Sequence, residues 1–509
     1  MPPLEELPAA YLAIEKERDA LRAVVEDLKR QLEWLRRRVF GAGRSETFER
    51  QQLLLQLGEL GARLAERAHR QQVSYERKVP EKKAAAADIY ARLPVKETVT
   101  IEPEEVKAQP EQWERIGEEK TFEVEITPPR MWKREIIRPK YRSRDDREQP
   151  PVVAPAPPRP VPGGHASAGL LAWVTVSKYL DHAPLFRQER MFARQGVPIP
   201  RANLCEWIRI TAEWVEPVYR LMHARLLAGD YLQADETPIK CHDADAGRGA
   251  VSQGYLWLIS RPGGDVVFDW KLSRRHGELT GLLAEKFKGV LQSDGYPAYL
   301  EYAKEHPGVV NVGCWAHARR RFVEAQGEAP QAVRVVLKLI GGLYRLEREW
   351  DQADAQAGRE RSPPLRARLR QLHFARSLKW LHALAVKLRS RHRPKSGVGA
   401  ACGYLLAQWP ALVRHTGHGQ TRLDNNLVEN AVRPTKLGLK NWLFIGHPGA
   451  GQRSAILYSI IVSCLRHGID PLAYLRDVLT RLPAMTNQDD LTALLPSNWG
   501  KPAAPAGQP

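Results

Sequence analysis

At 509 residues with 43% apolar side chains, the chain exceeds one ordinary domain and has enough apolar content for sizeable cores. Its 77 Lys and Arg against 59 acidic residues leave a net charge of +18, which points to a polyanionic partner, nucleic acid before any membrane surface. Five scattered cysteines without a C-x-x-C pair exclude a disulfide framework and a four-cysteine zinc site. No signal-peptide pattern opens the chain and no apolar run nears the roughly 18 residues of a membrane span, so a reducing, cytoplasmic setting without a membrane partner is expected.

Taken in order, Leu4, Tyr11, Val25, Leu32 and Val39 hold one heptad position and Leu7, Ile14, Leu21, Leu28 and Leu35 another. Residues 1–40 therefore predict a coiled coil and a homo-oligomer, with Arg18 breaking the seam; the alternative is a long amphipathic helix packed on its own chain. Residues 41–75 read as a second helical segment. Residues 76–148 are highly charged with short extended runs (TVTIEP, FEVEITP, REIIRP), a small module whose Trp132, Lys133, Arg134, Lys140, Tyr141 and Arg142 face phosphates or plain solvent. A stiff proline-rich linker, 149–166, follows.

Residues 167–228 are helical in pattern, with Leu170, Leu171, Val174, Val176, Leu185, Phe186 and Met191 as candidate core. A helix, a turn at Gly196 and a second helix from near Arg201 give a helix-turn-helix outline, the basis for a helical DNA-binding domain. From Tyr231 the pattern turns to strands: LQAD, GYLWLIS and DVVFDWKL, then a helix over Gly277 to Phe287, a fourth strand in GVLQSD, the helix AYLEYAKE and a fifth strand in VVNVGCW. This is a mixed sheet covered by helices. Residues 326–415 read as a helical insertion. NWLFIG then reads as a strand, GHPGAGQR as a loop and SAILYSIIVSCLRHG as a buried helix, before a C-terminal segment, 469–509, whose end beyond Pro502 is expected to be disordered.

Three acids stand out. Asp235 in YLQADETPIK and Asp294 in GVLQSDGYPAY each end a short apolar run, Pro238 stopping regular structure after the first and Gly295 and Pro297 after the second. Glu236 is beside Asp235, but adjacent strand side chains face opposite ways, so one of the two is a ligand and Asp235 is preferred. In LDNNLVENAVRPTKLGLK a helix would put Glu429, Arg433 and Lys436 on one face, with Val428, Ala431 and Val432 as the buried stripe and Pro434 a possible kink. Two acids from strands and one from a helix can hold a pair of divalent cations for phosphodiester chemistry; the alternative for Glu429 is an ordinary surface ion pair. Asn425 and Asn426 are candidates for DNA hydrogen bonds or for capping that helix. Arg319, Arg320 and Arg321 suit DNA phosphates or a solvated face. Arg453, with Gly449 and Gly451, could hold a phosphate before a helix, although the loop lacks the ending an ATP site needs. Cys314 and His317 form C-x-x-H without a second pair nearby, and structural roles are preferred for both.

The stretches LRRRVFGAGRSE, KYLDHAPLFRQERMFARQGV, QADETPI, LQSDGYPAY, GCWAHARRRF, LDNNLVENAVRP, KNWLFIGHPGAGQRSAILYSII and GIDPLAYLRDVL together resemble transposases of the insertion sequence family numbered sixty-six, a branch of the DDE transposases. The resemblance runs in order through nearly the whole chain. It implies a multidomain α+β protein with an RNase H-like α/β catalytic core in two parts, 229–325 and 416–468, separated by the insertion. It implies Asp235, Asp294 and Glu429 as the metal-binding triad, Mg²⁺ as cofactor with Mn²⁺ as a substitute, and cleavage at transposon ends followed by transfer of the 3′ hydroxyls to target DNA. Lys436 resembles the basic residue such enzymes place near the scissile DNA, Arg433 suits similar work, and companion proteins of the same element are implied partners. One departure is plain: residues 76–148 stand where the family carries a cysteine-based zinc module but contain no cysteine, so no zinc is expected there. That loss favours one rival, an inactive DNA-binding relative acting as repressor or scaffold; a second rival is a structure-selective nuclease on the same fold, which cuts without joining.

Overall fold

The computed structural model describes residues 131–141, 152–153, 155–242, 250–283 and 287–500. The chain divides into two units, 1–125 and 126–509, and every described residue belongs to the second. The expected coiled coil, the 41–75 helix, most of the 76–148 module and the last nine residues lie outside the described residues. Of that module, 131–139 is neither helix nor strand, and Lys140–Tyr141 pairs antiparallel with Val152–Val153 of the linker. The linker is tied down at its end, where the Pro160 carbonyl accepts from Trp214 Nε1 at 2.7 Å.

Five strands form one mixed sheet: β1 (Tyr231–His242), β2 (Val251–Ser260), β3 (Val266–Lys271), β4 (Gly289–Gln292) and β5 (Val309–Val312). Their order is β3-β2-β1-β4-β5. The first three pair antiparallel in turn, and β4 and β5 lie parallel to β1. Parallel neighbours need helical crossovers: helix α4 (Gly277–Leu283) precedes β4, and α5 (Pro297–Glu305), opened by Pro297 in its first turn, precedes β5.

β1 corrects one sequence expectation. It continues past Asp235 to His242, and Pro238 stays in the ladder opposite Tyr255. Lys240 and His242 turn their backbone groups away from β2, to Ile445. Pro238 shares their parity, so its missing N–H falls on the side that β4 has already vacated, where no ladder bond is lost.

The helices of 167–228 do not enclose a core of their own. Helices α1 (Ala168–Tyr179), α2 (Leu185–Arg194) and α3 (Arg201–Leu227) share one hydrophobic core with the sheet and with α11 (Asn426–Trp442), α12 (Pro448–Arg466) and α13 (Pro471–Arg481). Ser167 caps α1 through Leu170 N at 3.2 Å, and Asp470 caps α13. Gly196, at φ +80°, makes the expected turn before α3, while Phe186 is exposed and Phe192 takes the core position.

α12 closes the free edge of the sheet. The outward N–H groups of Val266, Phe268 and Trp270 donate to Ser463 Oγ (2.8 Å), Ser459 Oγ (2.8 Å) and Gln452 Oε1 (3.2 Å), residues at helical spacing along α12. An open edge would recruit other strands, and a buried unpaired N–H is costly. Ser459→Ala therefore costs about 1–2 kcal/mol in urea denaturation, by orphaning Phe268 N. The sequence expectations fail around this helix. NWLFIG is not a strand: α11 runs to Trp442, Leu443 turns at φ 66°, and one bridge joins Ile445 to Cys241. GHPGAGQR is mostly helix, since α12 starts at Pro448, and Gly451 is there because a Cβ would stand 2.3 Å from the Trp270 indole.

Helices α6 (Trp315–Glu324), α7 (Pro330–Gln356), α8 (Pro363–Arg391), α9 (Gly397–Ala407) and α10 (Trp409–Val413) surround a second core, with Phe322, Ile340, Phe374, Leu381 and Leu405 at its centre. Beside it lies a buried ionic cluster. Glu347 accepts from Arg370 Nε at 2.6 Å and from Arg361 and Arg366 at 3.2 Å each. Arg370 also donates to the carbonyls of His415, His418 and Thr421 at 2.8–3.0 Å. The chain leading into α11 is thereby held to α8.

Candidate active site

β1 supplies the first acid and sets the place of the second. Gln233 is opposite Gln292, so the same register carried two residues further brings Asp294, just past the end of β4, alongside Asp235. Asp294 Oδ1 accepts from Tyr296 N at 2.9 Å, and its carbonyl accepts from Tyr404 Oη at 2.6 Å. Gly295 takes φ +89°, and a Cβ there would meet Gln408 at 2.7 Å, so this turn requires glycine twice over.

The third acid is delivered by polar anchoring on the same strands. Gln233 Nε2 donates to the Asp424 carbonyl and Asn425 Nδ2 to the Ala234 carbonyl, both at 2.9 Å, while Gln292 Nε2 donates to the Arg422 carbonyl at 2.9 Å. Glu429 follows in the first turn of α11, whose Val428, Ala431 and Val432 are buried as the spacing predicts. Burial first, then the neighbouring charges of Glu236, Asp294 and Glu429, push the Asp235 carboxyl up to about 7. Asp294, from a turn, and Glu429, from a helix, thus both bear on Asp235 of the strand, in smaller measure than burial and Glu236 do.

Glu236 is the wrong candidate for an open ligand. Its side chain is 1% exposed, and its oxygens are taken by the Arg274 guanidinium, with Nε at 2.9 Å, and by Tyr299 Oη at 2.5 Å. Arg274 in turn stacks over Tyr296 at 3.7 Å. Asp235 Oδ1 accepts only from the next backbone N–H among the described residues.

Glu429 does not pair with Arg433. Its Oε2 accepts from Arg320 Nη2 at 3.3 Å, and its Oε1, buried and without a hydrogen-bond partner, faces His317 Nε2 at 3.7 Å. Arg433 and Lys436 are exposed further along α11. Asn425 is buried with its amide committed to β1, which corrects its candidacy for a DNA contact; it stands at the N-cap position without capping, and Asp424 Oδ1 accepts from Asn426 N instead. Asn426 is exposed. The three arginines of α6 part ways: Arg319 is exposed, Arg320 reaches Glu429, and Arg321 lies over the Tyr404 ring at 4.2 Å. Arg453, half-buried on α12, acts electrostatically on Tyr179 and Glu206, beside α1 and α3.

The chemistry of this donor set suits a hard divalent cation. Crowded carboxylates, one of which resists ionisation, with an unpartnered buried oxygen on Glu429, are stabilised by a cation, and Arg320 already supplies one positive charge to Glu429. The sign of the resulting pH dependence follows. Folded Asp235 keeps its proton up to about 7 whereas the unfolded carboxyl releases it near 3.8, so metal-free stability falls as pH rises through that window. In urea denaturation with chelator present, Asp235→Asn gains on the wild type by on the order of 2–4 kcal/mol between pH 4 and pH 8; a saturating divalent cation removes most of that gain.

Fold and site together define a mixed α/β protein carrying an acidic cluster where β1 outruns β4. The Transposase IS66 family profile matches residues 163–453, more than half of the chain, and the IS66 C-terminal element matches 459–497. The chain belongs to the IS66 transposase family. It is 32% identical over 506 residues to an uncharacterized protein of Sinorhizobium fredii, y4jD, spanning 94% of this chain and 96% of that one. A second uncharacterized protein of the same organism, y4qI, is 32% identical over 406 residues, spanning 76% of this chain and 72% of its own. Among the described residues, no helix is long and apolar enough to cross a membrane.

Proposed function

We propose that this chain is a DDE transposase that cleaves DNA at the ends of its insertion sequence and joins the freed 3′ hydroxyls to target DNA. The observation that carries the reading is the convergence on β1 of three acids far apart in sequence: the β1–β4 register sets Asp294 alongside Asp235, and Asn425 Nδ2 on the Ala234 carbonyl holds the start of α11, with Glu429 in its first turn, to the same strand. A sheet of three antiparallel strands with two parallel ones beside the first supports an RNase H-like core.

Asp235, Asp294 and Glu429 would hold Mg²⁺, with Mn²⁺ as a substitute. Bound divalent cations supply activation of the attacking water or hydroxyl and stabilisation of the departing oxygen. The chain's own work is positioning. The Asp294 turn is fixed by Tyr296 N, Tyr404 and Gly295, and the start of α11 is fixed to β1 by Asn425. Lys436, Arg433, Asn426, Arg319 and Arg320 face DNA, where cationic side chains neutralise phosphates and set register without reading sequence. Arg453, on a different part of the surface, suits a more distant phosphate. A cytoplasmic oligomer formed through residues 1–40, working with companion proteins of the same element, completes the proposal.

The test is incubation of the full chain with DNA carrying the element's own ends, in Mg²⁺ or Mn²⁺, with every product terminus mapped. Ends cut and joined to target support the transposase. Cutting without joining supports a nuclease, and binding without either, companions added, supports an inactive DNA-binding relative.

A further inference from the structure

The pair Cys314 and His317, set aside in the sequence for want of a partner, acquires one in the fold. α6 begins at Trp315 with Cys314 at its N-cap position, and α11 brings Glu429 against it from more than 100 residues downstream. The Cys314 sulfur, a carboxylate oxygen of Glu429 and a ring nitrogen of His317 all lie within 4.8 Å of one another, and the nitrogen–oxygen pair is at 3.7 Å. Tetrahedral zinc, with bonds of roughly 2.0–2.3 Å, sets its ligand atoms roughly 3.3–3.6 Å apart. Closing the cluster onto an ion therefore needs shifts of about 1 Å or less.

Two further observations point to a ligand. The Cys314 sulfur, 1% exposed, accepts the Asn425 N–H at 3.3 Å. N–H···S bonds of this kind orient the sulfur of a metal-bound cysteine. Glu429 Oε1 is buried with no hydrogen-bond partner and faces His317 Nε2. An unsatisfied carboxylate oxygen beside an imidazole nitrogen and a buried sulfur makes poor packing and a good coordination shell.

We propose that Cys314, His317 and Glu429 form a binding site for a thiophilic divalent cation, zinc in the first instance, with one coordination position open. The sulfur and imidazole select against Mg²⁺, which prefers oxygen ligands. Glu429 then belongs to two sites, the hard one with Asp235 and Asp294 and the soft one with Cys314 and His317. Zinc occupancy therefore governs where the third acid points. Binding itself does not rest on the transposase reading; only that consequence for cutting does.

The test is titration of metal-stripped full-length protein with Co²⁺, following the near-ultraviolet thiolate-to-cobalt charge-transfer band. One equivalent is expected to raise the band. Cys314→Ser abolishes it, His317→Ala weakens binding at least about tenfold, and Asp235→Asn leaves it unchanged, with thermal melts showing each variant folded. Absence of the band in the wild type, its survival in Cys314→Ser, which would transfer it to a cysteine such as the exposed Cys205, or unaltered affinity in His317→Ala overturns the proposal. A band that behaves as expected in a protein that cuts normally with Asp235→Asn would leave the soft site standing and bring down the catalytic reading alone.

Discussion

Asp235→Asn, Asp294→Asn and Glu429→Gln each reduce end cleavage by about 10³-fold or more, equivalent to about 4 kcal/mol of barrier. Each removes one charge from a set that holds its cations only as a whole, and neither an amide nor the remaining acids can replace it. DNA affinity stays within about threefold of wild type, because phosphate contacts from Lys and Arg carry it. Single-turnover cleavage beside a binding isotherm at fixed salt makes the comparison. The variants are not expected to fail by unfolding, since Asp235→Asn relieves a crowded acid and melts higher without metal. Cleavage retained in any of the three removes that residue from the triad.

Glu347→Ala is the largest stability effect expected in the described chain. Arg366 and Arg370, 1% and 0% exposed, lose the carboxylate that compensates their charge. Breaking a buried ion pair from one side typically costs about 3–5 kcal/mol. Arg366 retains Asp354 at 2.9 Å, but Arg370 keeps only neutral acceptors, the carbonyls of the 415–421 segment and the Thr421 hydroxyl. The damage therefore spreads from the α7–α8 pair to the chain that delivers Glu429. Urea denaturation and limited proteolysis show the helices of 330–391 opening first, and cleavage of DNA falls with them. A loss below about 1 kcal/mol would mean that the remaining acceptors compensate the two guanidinium charges without Glu347.

Much of this arrangement is legible along the chain. The alternating and apolar runs of β1 to β5, the turn at Gly196, the buried stripe of α11 and the different surroundings of the adjacent Asp235 and Glu236 all follow from local pattern, because each depends on neighbours in sequence. What the sequence conceals depends on neighbours in space. Pro238 reads as a stop and is tolerated because β4 has ended beside it. GHPGAGQR reads as a loop from its glycines, yet Gly451 serves a close approach by Trp270 within a helix. Asn425 reads as a cap or a DNA contact and is instead a strut between α11 and β1. Glu429 and Arg433 have ideal spacing for an ion pair, but Arg320 from α6 reaches the carboxylate. Cys314 and His317 looked unpartnered for the same reason: their third member arrives through the insertion's detour.

The same contrast governs the division of the chain. The composition change at the linker is real, but the helices after it carry their apolar faces to the sheet, so 167–228 shares the sheet's core. The helical stretch 326–415 between Asp294 and Glu429, by contrast, is visible as apolar helical pattern, and together with α6 it encloses a second core.

The central claim is that Asp235, Asp294 and Glu429 hold divalent cations together. Its most direct test is Mn²⁺ binding to the full chain on an end-bearing DNA duplex, followed by electron paramagnetic resonance at pH 8, in wild type and in each single substitution. The account predicts saturable binding in the wild type that weakens by at least about tenfold in all three variants. Equal binding in wild type and variants would contradict it.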